Sequence, residues 1–151
     1  MITDSKRWFR LILVAALSMT MSARAMTTEP TTWLAALSQV ESGDNQHAVG
    51  KAGELSKFQI TEGAWKDHCR CAFTHARDEE LAEIIALKIR HANWARLKQA
   101  LKREPTPAEE YTSWNIGLKG FSRYGYSIRR VPKVYRERAE RFENLYRELS
   151  K

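Results

Sequence analysis

Glu41 closes a stretch in which Leu34 and Leu37 precede it by seven and four residues. That spacing sets the carboxyl on the apolar stripe of a helix rather than on its wet face. Burial disfavours the ionised form, and the carbonyl-rich C-terminal end of a helix repels negative charge. Both effects hold a proton on Glu41 near neutral pH. A neutral carboxyl can hand that proton to a leaving oxygen, as cleavage of a glycosidic bond requires. The same position also suits a solvated side chain or an ion pair with Lys51 or Lys57. Position alone leaves these uses open.

A glycoside hydrolase ordinarily sets a second carboxylate roughly 5 to 9.5 Å from the acid, as nucleophile or water activator. Asp44, Glu54 and Glu62 are the nearby candidates, Glu54 foremost because it lies in the polar, glycine-punctuated loop expected to face Glu41. Its other uses are an ion pair with Lys51 or Lys57, or capping. Gln59 and Asn115 carry amides with donors and acceptors for the acetamido and hydroxyl groups of a sugar, or for helix ends. Trp114 and Tyr124 offer flat apolar faces to sugar rings, although five Trp in a small helical chain equally supply a core. Ser42 either hydrogen-bonds Glu41 or finishes the helix, and His47 and His91 are read as structural. Cys69 and Cys71, two residues apart, are a disulfide or a pair of thiols. With His68 and His75 they also form four potential zinc ligands, without the usual finger spacing, and we expect neither metal nor cofactor.

Helices must position these groups, for strand signals are almost absent. Thr31 and Thr32 are expected to cap a helix ending at Ser42-Gly43, and Thr61 to start a short one toward Cys69. Asp78 opens the longest segment, stopped by Glu104-Pro105, and Thr106-Pro107 opens another that Gly117 and Gly120 break near Asn115. A last helix places Tyr135, Ala139, Phe142, Tyr146 and Leu149 on one stripe, with Arg136, Glu137, Arg138, Glu140 and Arg141 on the solvated side. The fold class is therefore all-α, with five or six helices and at most a small irregular or hairpin element between Asp44 and Leu55.

The N-terminus reads as a secretory signal peptide over residues 1–25. Lys6, Arg7 and Arg10 precede the short apolar run Leu11 to Leu17, and Ala23-Arg24-Ala25 forms a cleavage site. An uncleaved membrane anchor is the alternative. Loss of those residues removes four Lys/Arg and Asp4, lowering the formal charge from +7 to +4. A basic exported domain over residues 26–151 suits an acidic polymer such as a cell wall or an anionic lipid, and nucleic acid least of all. Periplasmic or secreted localisation follows, with no membrane span after cleavage.

Three ordered motifs carry a family resemblance. Ala35 to Gly43, closing in Glu41-Ser42-Gly43, is similar to the catalytic helix end of the soluble lytic transglycosylases and goose-type lysozymes. Ala52 to Ile60 resembles their glycine-rich turn ending in a Gln and an aliphatic residue, with Glu54 where a small residue is common. Thr112-Ser113-Trp114-Asn115-Ile116-Gly117, with Arg123-Tyr124-Gly125 downstream, resembles their Ala-Tyr-Asn-Ala-Gly segment. The resemblance implies a lysozyme-like helical domain with a substrate groove, acting on peptidoglycan glycan strands. Glu41 would serve as acid and then base at the bond between N-acetylmuramic acid and N-acetylglucosamine, with Ser42, Gln59, Trp114, Asn115 and Tyr124 binding substrate. Attack by the substrate's own C6 hydroxyl would leave 1,6-anhydro ends and need no second carboxylate. A hydrolytic muramidase, with Glu54 activating water, and a non-catalytic wall-binding or envelope-machinery protein are the competing expectations.

Overall fold

The computed structural model describes residues 29–151, so the signal-peptide reading of residues 1–25 lies outside the described residues. Two units divide the chain, residues 1–31 and 32–151, and the second holds everything below except the first three residues of one helix. Of the first, residues 29–31 are described and helical.

Among the described residues the protein is all-α, without a strand. Helix α1 covers residues 29–42. It begins earlier than expected: the backbone is already helical at Glu29 and Pro30, so Thr31 and Thr32 lie within the helix instead of capping it. Proline's fixed φ suits an early helical turn. Trp33, Leu34, Ala36, Leu37 and Val40 are buried at three- and four-residue intervals.

Residues 43–61 form an irregular loop. Two isolated antiparallel bridges, Val49 with Leu55 and Leu55 with Ile60, take the place of a hairpin. Helix α2, Glu62–His68, is capped by the Thr61 hydroxyl, which accepts from the Ala64 N–H. A disulfide joins Cys69 to Cys71, so both sulfurs are committed to that bond and the zinc alternative loses its thiolates. A 3₁₀ turn at Phe73–Arg77 leads to α3, Glu79–Leu101, whose Asp78 cap accepts from Leu81 N–H. Lys102, left-handed at φ 58°, ends α3 two residues before Glu104.

Helix α4, Pro107–Asn115, is the central element, every residue from Ala108 to Ser113 being buried. It opens with a capping box in which the Thr106 hydroxyl accepts from Glu109 N–H and the Glu109 carboxylate from Thr106 N–H. Its buried polar groups are satisfied locally: Thr112 Oγ1 donates to Ala108 O at 2.7 Å, and Glu110 pairs with Arg90 at 2.8 Å. Gly117, at φ 71°, ends α4 as expected, but Gly120 breaks nothing. It lies inside the short helix α5, Gly117–Ser122, where the Ile116 side chain closes to 3.4 Å of the place a Cβ would take. A second 3₁₀ turn, Ile128–Arg130, precedes α6, Lys133–Leu149, which packs along α4.

Two apolar clusters result. The main core gathers α1, the loop, α2, α3, α4 and α6 around Trp33, Leu37, Phe58, Trp65, Ile85, Tyr111 and Phe142. A satellite of Leu97, Phe121 and Val131 supports the segment after α4, and Ile128 touches both. No helix among the described residues is long and apolar enough to cross a membrane.

Candidate functional site

The helical stripe does carry the Glu41 carboxyl inward, leaving its side chain 7% exposed at the wall of a cleft. Three elements hold it there. The end of α1 supplies it, Tyr111 of α4 donates its hydroxyl to Oε1 at 2.7 Å, and Arg138 of α6 donates to Oε2 at 2.8 Å. Burial raises the carboxyl's pKa above the ordinary glutamate range, and the charge of Glu54 adds to it. The Tyr111 and Arg138 hydrogen bonds oppose the rise without cancelling it. Burial, then the Glu41 charge beside it, drives the Tyr111 hydroxyl upward too, so it stays a donor.

Neither Tyr111 nor Arg138 was expected at the site. Arg138 is a correction: assigned to the solvated side of α6, it instead reaches Glu41 and remains only partly exposed. It stands four residues before Phe142, at the edge of the buried stripe, and a long side chain at an edge can turn inward. Tyr111 precedes Trp114 and Asn115 by three and four residues and so shares their helical face.

The cleft, of about 260 Å³, brings Glu41 together with Glu54, Gln59, Trp114, Asn115 and Arg138. Gln59 sits in the left-handed region at φ 52°, and Ser56 before it at φ 70°. The Gln59 Nε2 donates to Ser56 O at 3.0 Å, fixing the amide. The Glu54 carboxylate makes no pair with Lys51 or Lys57; its Oε2 accepts from Ala52 N–H at 2.9 Å. Both side chains close over Gly50, where a Cβ would lie 2.2 Å from Glu54 Oε2 and 2.6 Å from Gln59 Oε1. Two acceptors thus converge on a space only glycine leaves open. Asn115 lines the cleft and carries a buried Oδ1 without a hydrogen-bond partner. Trp114 lines the cleft with one side and meets Trp33 edge-on at 5.6 Å with the other, so it serves groove and core together.

The remaining candidates lie elsewhere. Ser42 does not bond Glu41: its hydroxyl donates to Lys57 O at 2.9 Å, with Ser38 O the more distant acceptor at 3.3 Å, and accepts from Asn45 N–H, tying the end of α1 to the loop. Tyr124 packs against the satellite cluster, outside the cleft lining. Asp44 is 4.0 Å from Lys57, and Glu62 pairs with Lys66 at 2.7 Å, which leaves Glu54 as the second carboxylate lining the cleft. Lys57 is held by Glu79 and Glu83 at 2.6 and 3.1 Å and so cannot serve Glu41. His47 is exposed, and His91 stacks on Trp94. No group of three or more His, Cys, Asp or Glu side chains is placed to hold a metal among the described residues.

No protein-family model, no curated protein and no solved structure matches this chain.

Proposed function

We propose that this chain is an exported, lysozyme-like enzyme that cleaves peptidoglycan glycan strands as a lytic transglycosylase, acting in the periplasm or outside the cell after cleavage near Ala25. One observation carries the reading: a buried carboxyl with a raised pKa stands in a cleft beside two amides and an indole face. Glu41 would protonate the bridging oxygen between N-acetylmuramic acid and N-acetylglucosamine. It would then take the proton of the C6 hydroxyl as that oxygen closes the 1,6-anhydro ring. The departing proton and the returning one balance, so the acid is regenerated. The Gln59 and Asn115 amides in the lining would orient the acetamido groups, and Trp114 would pack against a sugar ring. Arg138 would steady the Glu41 carboxylate while it waits as base.

Hydrolysis is the second reading, favoured by a second carboxylate, Glu54, in the lining of the Glu41 cleft. That group would activate a water in place of the C6 hydroxyl.

Digestion of purified sacculi followed by mass spectrometry tests both. Anhydro-ended fragments are expected, and reducing ends instead establish hydrolysis. Binding without fragment release leaves a non-catalytic wall-binding protein. Glu41→Gln should lower cleavage by about 10²- to 10⁴-fold, the range of general acid–base catalysis, with the fold intact. Full activity in that variant ends the proposal.

A further inference from the structure

From Tyr111 to Arg136 the sequence carries Lys119, Arg123, Arg129, Arg130, Lys133 and Arg136, and no Asp or Glu. These cations exceed the whole formal charge of +4 borne by residues 26–151. Lys133 is 3.5 Å from Glu137, the first carboxylate beyond the segment, and the others make no ion pair among the described residues. Like charges gathered without counter-charge project an unmet positive potential. Folding draws the centre of the segment together. Val131, buried in the satellite cluster, pins the chain between the second 3₁₀ turn and α6. On either side of it Arg129, Arg130, Pro132 and Lys133 are exposed. The Arg130 guanidinium lies 3.3 Å from the place a Cβ would take on Gly125, beside the turn that carries Arg123. Val134 and Tyr135 follow, 58% and 36% exposed, two of the few large apolar side chains that face solvent. An aliphatic group, a proline ring and a phenol ring therefore meet water in the same short stretch as the unpaired guanidinium groups.

Different partners make different demands on such a surface. A second copy of the chain would set like charges against each other. A phosphodiester polymer satisfies the guanidinium groups but leaves Pro132 and Val134 in water. An anionic bilayer surface satisfies both. Its headgroups attract the cations, the acyl boundary beneath them takes the apolar side chains, and the amphipathic Tyr ring sits at the level between. We propose that Arg129 to Arg136 form a docking surface for anionic phospholipid, which holds the protein against a membrane although no helix among the described residues can span one. This docking goes beyond the glycan-cleaving reading of Glu41 and does not depend on it.

Co-sedimentation of the full-length chain with vesicles tests this, one set made of phosphatidylcholine alone and one with phosphatidylglycerol added. Variants are compared in the same chain, so the apolar run Leu11 to Leu17 contributes equally throughout. Partitioning onto the anionic vesicles should exceed that onto the neutral ones by more than about tenfold. It should fall as salt rises from about 0.1 to about 1 M and the Debye length shrinks from about 10 to about 3 Å. Arg129→Gln with Arg130→Gln should weaken it about 25-fold, about fivefold for each basic residue near the surface. Val134→Ser with Tyr135→Ser should weaken it about tenfold while leaving adsorption to soluble polyphosphate unchanged. These four side chains are exposed, so the melting temperature should not move. Equal partitioning onto both kinds of vesicle, or no loss in either double variant, overturns the proposal. Vesicle binding that survives the two serines overturns it as well, in favour of a site for a soluble polyanion. Wall digestion enters none of these measurements, so a failed docking surface and a failed Glu41 assignment are told apart.

Discussion

Opposed forces meet on one carboxyl. Dehydration of Glu41 favours its neutral form, and Tyr111 and Arg138 favour the charged form, with burial the larger influence. Tyr111→Phe removes one stabiliser of the anion and should raise the pKa further. The alkaline limb of kcat/KM, where the acid loses its proton, then moves up by about one pH unit, the worth of a hydrogen bond to a charged group. A limb that stays put or moves down contradicts the assignment. Stability follows the same logic. A raised folded-state pKa means the native protein binds the Glu41 proton more tightly than the unfolded chain does. Stability is therefore lost as pH rises from about 4.3 through the raised value. Glu41→Gln escapes that loss and should melt higher than wild type at pH 7, by about 1.4 kcal/mol for each unit of raised pKa, with the gap closing below about pH 4. Paired thermal melts at the two pH values check this. The inward placement of Glu41 was legible, because seven residues from Leu34 is two helical turns. Its partners were not, since Tyr111 and Arg138 lie 70 and 97 residues away in sequence and only the packing of α4 on α6 brings them in.

Elements were read best where side chains cap them. Asp78, Thr61 and Thr106 all start the helices that their hydroxyl or carboxyl groups imply. Thr106→Ala should cost about 1 kcal/mol, measured by urea denaturation, because it opens one half of the capping box at the mouth of the buried helix. Arg103 would still hold the Glu109 carboxylate, so a loss beyond about 2 kcal/mol would point to more than a cap. Glycine was the weaker guide. Gly117 stops a helix because its φ is positive, whereas Gly120, which lacks a positive φ, sits inside the next one. The loop from 43 to 61 escaped periodicity altogether. Its order comes from left-handed residues at Asp44, Ser56 and Gln59 and from the triple carboxylate hold on Lys57, none of which leaves a repeating pattern.

At the scale of the molecule, the mainly helical class was plain from composition and spacing, but the division of the interior was not. Most large side chains join one core, while Leu97, Phe121 and Val131 stand apart beneath α5 and the turn that follows. Asn115 is the last residue of the helix anchored in the larger cluster, and Gly117 is the first of the segment resting on the smaller. Three buried side chains secure that segment by about 1.5 to 3 kcal/mol each, well short of what the main core commands. In heavy water the amides of residues 121–131 should therefore trade their protons ahead of those at Leu37, Ile85 and Tyr111, in one cooperative breath that leaves the rest closed. One shoulder of the molecule is thus free to yield while the buried Glu41 carboxyl stays rigid.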